Sequence, residues 1–341
     1  MAAHAELEAE VGGYVAQTEA SPVIEEGRAA LAALLGVESG GVAFTESASA
    51  SVAALLSVWP VSEGDTVAVV PSEWGPNLAA FEGSGLRIAS LPVNEDGTVD
   101  LAALRSFVGS TPPAFVHLTQ VASHRPLVQP VALAASICRA AGVPLWVDAA
   151  QAIGHVDTAS GADAVYATSR KWLTGPRGVG VLAVARPWWA RLRIRVSALD
   201  LVGVTSADPP VRLLESREAH VAGRVGLANA VREYLSAEPS AVWERLAAVG
   251  KLTRSVLSGL DGWEVVGDAD APSAITALRP LRGQDVAEVR ARLLSGHRIV
   301  TTAAHPARAP REMTSAYLRV SPHVDCAEDD LAMLRDALTR L

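Results

Sequence analysis

Lysine and cysteine are both nearly missing from this chain. Of 29 basic side chains only Lys171 and Lys251 are lysines, the rest being arginine, so any chemistry that needs a side-chain amine has two places to reside. The two cysteines, Cys138 and Cys326, form no C-x-x-C pair. That excludes a disulfide framework, makes a structural zinc unexpected, and suits a reducing cytoplasm. No run approaches the ~20 apolar residues that span a bilayer. The opening residues are acidic and lack the basic and apolar regions of an export signal, so a cytoplasmic location is expected. Positive charge is short as well. A formal net charge of -8, with no basic cluster interleaved with aromatics, gives no reason to meet nucleic acid or an anionic membrane. Small molecules are the expected partners, and no metal site is expected.

What is present is apolar material. Half the residues are hydrophobic and only 19% charged, enough to bury a large core, and 341 residues suit two packed lobes better than one. Short β-branched runs at residues 42–45, 66–70, 87–91, 114–118, 145–148, 165–168 and 180–184 read as strands. Several are continuously apolar, as strands covered on both faces must be, and helical patterns such as 130–141 lie between them. This predicts an α/β domain with a mostly parallel sheet over residues 1–214. A long helical pattern at 215–257 follows, then short strands at 276–278, 299–302 and 318–320 and a helix from Glu328, which predicts a smaller α+β domain over 215–341. The Thr-, Ser-, Asp- and Pro-rich stretch 204–210 is the expected connector.

The most informative segment runs from Leu145 through Asp148 and Gln151 to Ser169-Arg170-Lys171-Trp172. Asp148 closes one apolar strand and Lys171 follows the next, so both should face the crevice beyond the strand ends. An amine able to form a Schiff base, near a carboxylate able to keep a pyridinium protonated, is the pairing that pyridoxal phosphate needs. For an arbitrary Asp or Lys, a helix cap and a solvated loop are the ordinary roles. Lys251, in a helical pattern, is read that way.

The string around Asp148 and Lys171 resembles the class V aminotransferase signature of fold-type I pyridoxal-phosphate enzymes. The resemblance implies the fold-type I transferase architecture, a homodimer, and pyridoxal 5'-phosphate on Lys171. It implies phosphate contacts from the turn Ser47, Ala48 and Ser49 at a helix N-terminus, and from Thr168 and Arg170. It further implies that Trp74 stacks on the pyridine and that Gln151 meets the phenolic oxygen. His124 in the loop 119–125 would face the cofactor, Arg319 would grip a substrate carboxylate, and Tyr14 joins them on the substrate side. Residues 217–220 fall where a partner subunit would contribute. The glycine string 175–180 leads into a strand, not a helix, so a nucleotide-binding loop has little support.

Cysteine desulfurases of this family carry a nucleophilic cysteine somewhat before the carboxylate-binding arginine. None lies between Asp270 and Leu318. The strings at 10–15, 75–79, 116–119, 121–125, 169–172, 175–184, 272–276, 298–302 and 319–325 are similar to the hercynylcysteine sulfoxide lyase subgroup of ergothioneine biosynthesis. That similarity implies a carbon–sulfur lyase working by β-elimination, with pyruvate and ammonia as products. A kynureninase-like enzyme or an aminotransferase is the enzymatic alternative. Subgroup members usually have a further N-terminal stretch reaching the active site, whereas this sequence begins almost at the helix leading to Tyr14. A start placed downstream of the true one is the expectation, with a non-catalytic cofactor-binding relative as its alternative.

Overall fold

In the computed structural model, which describes residues 1–194, 209–216 and 218–341, the seven expected runs become the strands of one sheet. These are β1 (Val42–Thr45), β2 (Thr66–Val69), β3 (Arg87–Ser90), β4 (Phe115–Thr119), β5 (Leu145–Asp148), β6 (Ala164–Thr168) and β7 (Gly180–Val184), in the order β1-β7-β6-β5-β4-β2-β3. Only β7 runs against the others; the remaining ladders are parallel. Helices α1 (Ala2–Val11), α2 (Gly13–Leu35), α3 (Ala48–Val58), α4 (Gly75–Gly83), α5 (Leu101–Ser110), α6 (Val131–Ala140) and α7 (Arg186–Trp189) accompany this sheet.

The continuous apolar runs have a direct cause. Along β5, Leu145 and Val147 join the core on one face while Trp146 joins the core on the other. Val165 and Ala167 of β6 likewise oppose Ala164 and Tyr166. With side chains alternating across a sheet buried on both faces, every position must be apolar.

The helical pattern predicted for 215–257 is two helices, α8 (Val221–Ser236) and α9 (Pro239–Leu257). Glu238, at φ 55°, turns the chain between them, and Pro239 opens the second. Helix α8 packs along α2 so closely that a Cβ on Gly27 would lie 2.4 Å from the Ala228 Cβ. Beyond α9 a four-stranded antiparallel sheet forms from β8 (Trp263–Val266), β9 (Thr276–Pro280), β10 (Thr302–Ala304) and β11 (Tyr317–Val320), in the order β10-β11-β9-β8. Helices α10 (Val286–His297) and α11 (Glu328–Thr339) cover it, with Leu257, Leu278, Leu293, Leu318 and Leu334 in its core.

Two details differ from expectation. The apolar run at 299–302 is mostly the exit of α10: Arg298 caps the helix in the left-handed conformation, and the Ile299 N–H returns to the Leu293 carbonyl. Only Thr302 belongs to β10. The edge strand β8 went unforeseen because just one of its four residues is fully buried. The expected connector 204–210 and position 217 fall, apart from residues 209 and 210, outside the described residues. Among the described residues no helix is long and apolar enough to cross a membrane.

Candidate active site

Strands β1, β2, β4, β5 and β6 end on one side of the large sheet, where ligands of such sheets collect. Each supplies part of a cavity wall. After β1, Ser47 is extended and its Oγ accepts the Ala50 N–H at 3.1 Å, which starts α3 with Ser47, Ala48 and Ser49 at the cavity. Gly180 allows that turn to close on β7, since a Cβ there would lie 2.6 Å from the Ser47 carbonyl carbon. After β2 comes Trp74, after β4 Thr119 and Ser123, after β5 Asp148 and Gln151, and after β6 Thr168, Arg170 and Lys171. The small sheet adds Arg319 and Ser321, and a 3-10 turn at Pro306–Arg308 adds Arg308. The enclosed volume is about 470 Å³, within the usual range for small-molecule sites.

Electrostatically the cavity is cationic. Burial pushes the Lys171 amine down to about 8; Asp148 opposes the shift, while Arg319, Arg170 and Arg308 add to it. Burial, with Arg308 nearby, pushes Arg319 down to about 10. Arg319 donates from Nη1 to the Ser123 carbonyl at 2.7 Å and from Nη2 to Thr302 Oγ1 at 3.3 Å, while its buried Nε has no partner among the described residues.

Asp148 is held from two sides. Its Oδ1 accepts the Ala150 N–H at 2.8 Å and its Oδ2 accepts Asn77 Nδ2 at 3.0 Å. The same Asn77 amide donates at 2.9 Å to Glu73 Oε1, a carboxylate with no exposed surface. Glu73 also accepts from Thr119 Oγ1 and the Trp74 N–H and pairs with His117 Nδ1 at 2.8 Å, and His117 Nε2 meets the Tyr166 hydroxyl at 2.8 Å. Burial alone would raise the Glu73 carboxyl, but His117 and these donors hold it below the usual carboxylate range. Two buried carboxylates are thus bridged by one amide, Asp148 at the cavity wall and Glu73 behind it. On the other side, Gln151 Oε1 accepts Trp172 Nε1 at 2.9 Å, which leaves its amide N–H groups to donate.

Ten of the residues singled out in the sequence, Ser47, Ala48, Ser49, Trp74, Asp148, Gln151, Thr168, Arg170, Lys171 and Arg319, line this one cavity. Two do not. Tyr14 sits in the first turn of α2 with 83% of its surface exposed, because that face of the helix packs on nothing described. His124 is buried but turned away from the cavity, its Nε2 3.4 Å from Glu312 Oε2; the Arg125 guanidinium binds the same carboxylate. It is Ser123, one residue earlier, that reaches the cavity. Sequence reasoning overlooked Asn77, Glu73, His117 and Arg308. A histidine inside the otherwise apolar strand Phe115–Thr119 was a usable signal for the first three, whereas one arginine among so many gave none for Arg308. Lys251 is exposed and lies 2.5 Å from Asp270 in an ion pair, as its helical setting suggested.

The donor set suits pyridoxal phosphate. An amine whose charged form is disfavoured can anchor an aldehyde, and a fixed carboxylate can hold a ring proton. A capped helix start beside Arg170 can receive a phosphate, and Gln151 can donate to a phenolic oxygen.

A model of the family "Aminotransferase class-V" matches residues 3–334. Among curated proteins the chain is 48% identical, over 99% of its length and 84% of the relative's, to the "Probable hercynylcysteine sulfoxide lyase" of Mycobacterium tuberculosis (strain CDC 1551 / Oshkosh). It is 29% identical, over 66% of its length and 58% of the relative's, to a cysteine desulfurase of Dickeya dadantii (strain 3937). Among solved structures, the cystine C-S lyase C-DES in complex with its reaction product cysteine persulfide superposes with a TM-score of 0.86 at 17% identity, covering 99% of this chain and 92% of that one.

Proposed function

Because the chain belongs to the class V aminotransferase family, with pyridoxal phosphate as cofactor, we propose that it is a carbon–sulfur lyase acting on hercynylcysteine sulfoxide, a step toward ergothioneine. The observation that carries this reading is the cavity itself. Lys171, Asp148 and Arg319 line it together, in a chain 48% identical along nearly its whole length to a protein named as that lyase.

When bound, the cofactor supplies an electron sink for the pair left behind when a substrate loses its α-proton. Lys171 Nζ holds the cofactor until substrate arrives and then takes that proton. An amine lowered to about 8 is suited to both tasks near neutral pH. Asp148, fixed by Ala150 and Asn77, keeps a proton on the ring nitrogen. Trp74 would cover the ring face, and the α3 start with Thr168 and Arg170 would receive the phosphate. Arg319, at the cavity wall, holds the substrate α-carboxylate through the Nη1 and Nη2 N–H groups that Ser123 and Thr302 leave free. With the cofactor bound, β-elimination would release the sulfur substituent as a sulfenate and leave a three-carbon unit for hydrolysis to pyruvate and ammonia. Elimination is redox-neutral; reduction of the sulfenate to the thiol takes two electrons, supplied by two external thiols that close a disulfide with release of water.

The cysteines stand apart from this chemistry. Cys138 is buried in α6, where burial and then Asp163 push its thiol up to about 12, and neither cysteine lines the cavity. The proposal includes a cytoplasmic homodimer; exposed Met1, Val11, Tyr14 and Val15 around α1 and α2 support an assembly surface. The test is pyruvate release from hercynylcysteine sulfoxide by the purified holoenzyme, with kynurenine and cysteine turned over far more slowly. Higher kcat/KM for kynurenine, with anthranilate formed, would defeat the lyase reading and leave the family standing.

A further inference from the structure

Charge in the cavity does not balance. Arg170, Lys171, Arg308 and Arg319 face a single carboxylate, Asp148. On the reading above, the phosphate engages Arg170, Lys171 is consumed in holding the cofactor, and the substrate α-carboxylate engages Arg319. Arg308 is left over. Its side chain makes no hydrogen bond or ion pair with any described residue, its backbone N–H alone donating to the His305 carbonyl, and its guanidinium lies 5.4 Å from the centroid of the Trp74 ring. A partly buried cation without an anion carries a desolvation cost that, among the described residues, only the Trp74 ring face offsets, and that contact offsets it in part. Its backbone has little freedom, because the turn at Pro306–Arg308 presses on the start of α4: a Cβ on Gly75 would lie 2.1 Å from the Ala307 carbonyl oxygen. This anchoring holds Arg308 beside Trp74 at the cavity wall.

The geometry points to Arg308 as the recognition residue for a second anion of the substrate, a carboxylate carried by the sulfur-bearing fragment that departs. The enzyme would thus select S-conjugates with two carboxylates, one on the cysteine unit and one on the leaving group. This rests on the lyase reading and on Arg319 as the α-carboxylate site.

The experiment compares hercynylcysteine sulfoxide with its leaving-group carboxamide, in wild type and Arg308→Gln holoenzyme. Cofactor absorbance and unfolding midpoint serve as checks that the variant is intact. Truncating one member of a desolvated charge pair costs about 2–5 kcal/mol, so the carboxylate substrate should lose at least roughly 30-fold in kcat/KM. The carboxamide should change little, and the preference between the two should collapse in the variant. Equal losses for both substrates, or no loss for either, would overturn the assignment. A second arm titrates the trimethylhistidine betaine, the leaving fragment without sulfur, into both proteins by calorimetry. Binding to wild type with weaker binding to Arg308→Gln supports the assignment; equal affinities, or no binding to wild type, sinks it. If no sulfoxide released pyruvate from wild type, the lyase reading would fall, and this binding arm would still decide Arg308.

Discussion

Lys171 sits at the cavity wall as an ammonium that its surroundings disfavour, and methionine, of similar length but uncharged, isolates that cost. In the folded protein the group titrates near 8 against an ordinary value of 10.5, chiefly through burial and then through the arginines around it. Between those two values the unfolded chain binds a proton that the folded chain does not, so stability rises with pH across the window. Below pH 8 both states are charged and the folded state carries the whole cost, up to about 3 kcal/mol. Lys171→Met should therefore make the cofactor-free protein more stable at pH 7 by as much as about 3 kcal/mol, with the gap shrinking toward zero by pH 11. Urea denaturation of both proteins across that range reads the gap directly, and because it is taken pairwise, titration of other groups cancels. A gap that does not depend on pH, or a wild type more stable at pH 7, would refute the claim that the cavity suppresses the lysine charge. The sign runs against the usual expectation for a core substitution, since a functional group is being removed from a place chosen for chemistry and not for stability.

Borohydride reduction of the holoenzyme followed by peptide mapping should label Lys171; a label on Lys251 alone would reverse the assignment of the two lysines. Arg319→Ala should lower kcat/KM roughly 30- to 4000-fold while cofactor colour persists, and loss of the colour would instead place Arg319 among the cofactor contacts. The double variant Cys138→Ala with Cys326→Ala should stay active, and its inactivity in a folded protein would revive a sulfur-transfer mechanism. Asn77→Ala leaves Asp148 and Glu73 each short of a donor. Hydrogen bonds to charged groups contribute about 1.5–3 kcal/mol, so cofactor affinity by absorbance titration should weaken roughly 10- to 100-fold; unchanged affinity would remove Asn77 from the site.

The large sheet was legible because its strands are buried on both faces. Runs such as Leu145–Asp148 and Gly180–Val184 contain almost nothing but apolar residues, and turn residues punctuate them. The small sheet was harder. Its edge strand Trp263–Val266 is mostly half-exposed, and the apolar residues after α10 serve a helix cap before they serve a strand. In the site, positions set by strand ends came out in one cavity: Ser47, Asp148, Thr168 and Lys171. His124 lies off the cavity for a local reason, as one residue of loop decides whether a side chain faces the cavity or Glu312. Tyr14 does not line this cavity; its place came from a likeness and not from any pattern in α2. Glu73 and Asn77 come from the stretch after β2 and His117 from β4, and only the parallel pairing of β2 with β4 and of β4 with β5 brings them together at Asp148.

That arrangement separates what the fold provides from what selects a substrate. The Asp148–Asn77–Glu73 chain lies beneath the cavity, within the large sheet and its helices, and would serve any reaction in which a ring nitrogen must stay protonated. Arg308 and Arg319 come from the small sheet and the turn joining two of its strands, on the far side of α8 and α9 in the chain. Substitutions behind Asp148 should consequently weaken turnover of every substrate by similar factors. Substitutions in the 302–320 segment should instead re-rank substrates, and leave the cofactor's absorbance and its affinity as they were. A Glu73→Gln variant that changed the preference between the carboxylate and carboxamide conjugates would contradict this division, because Glu73 is fully enclosed and no substrate atom reaches it.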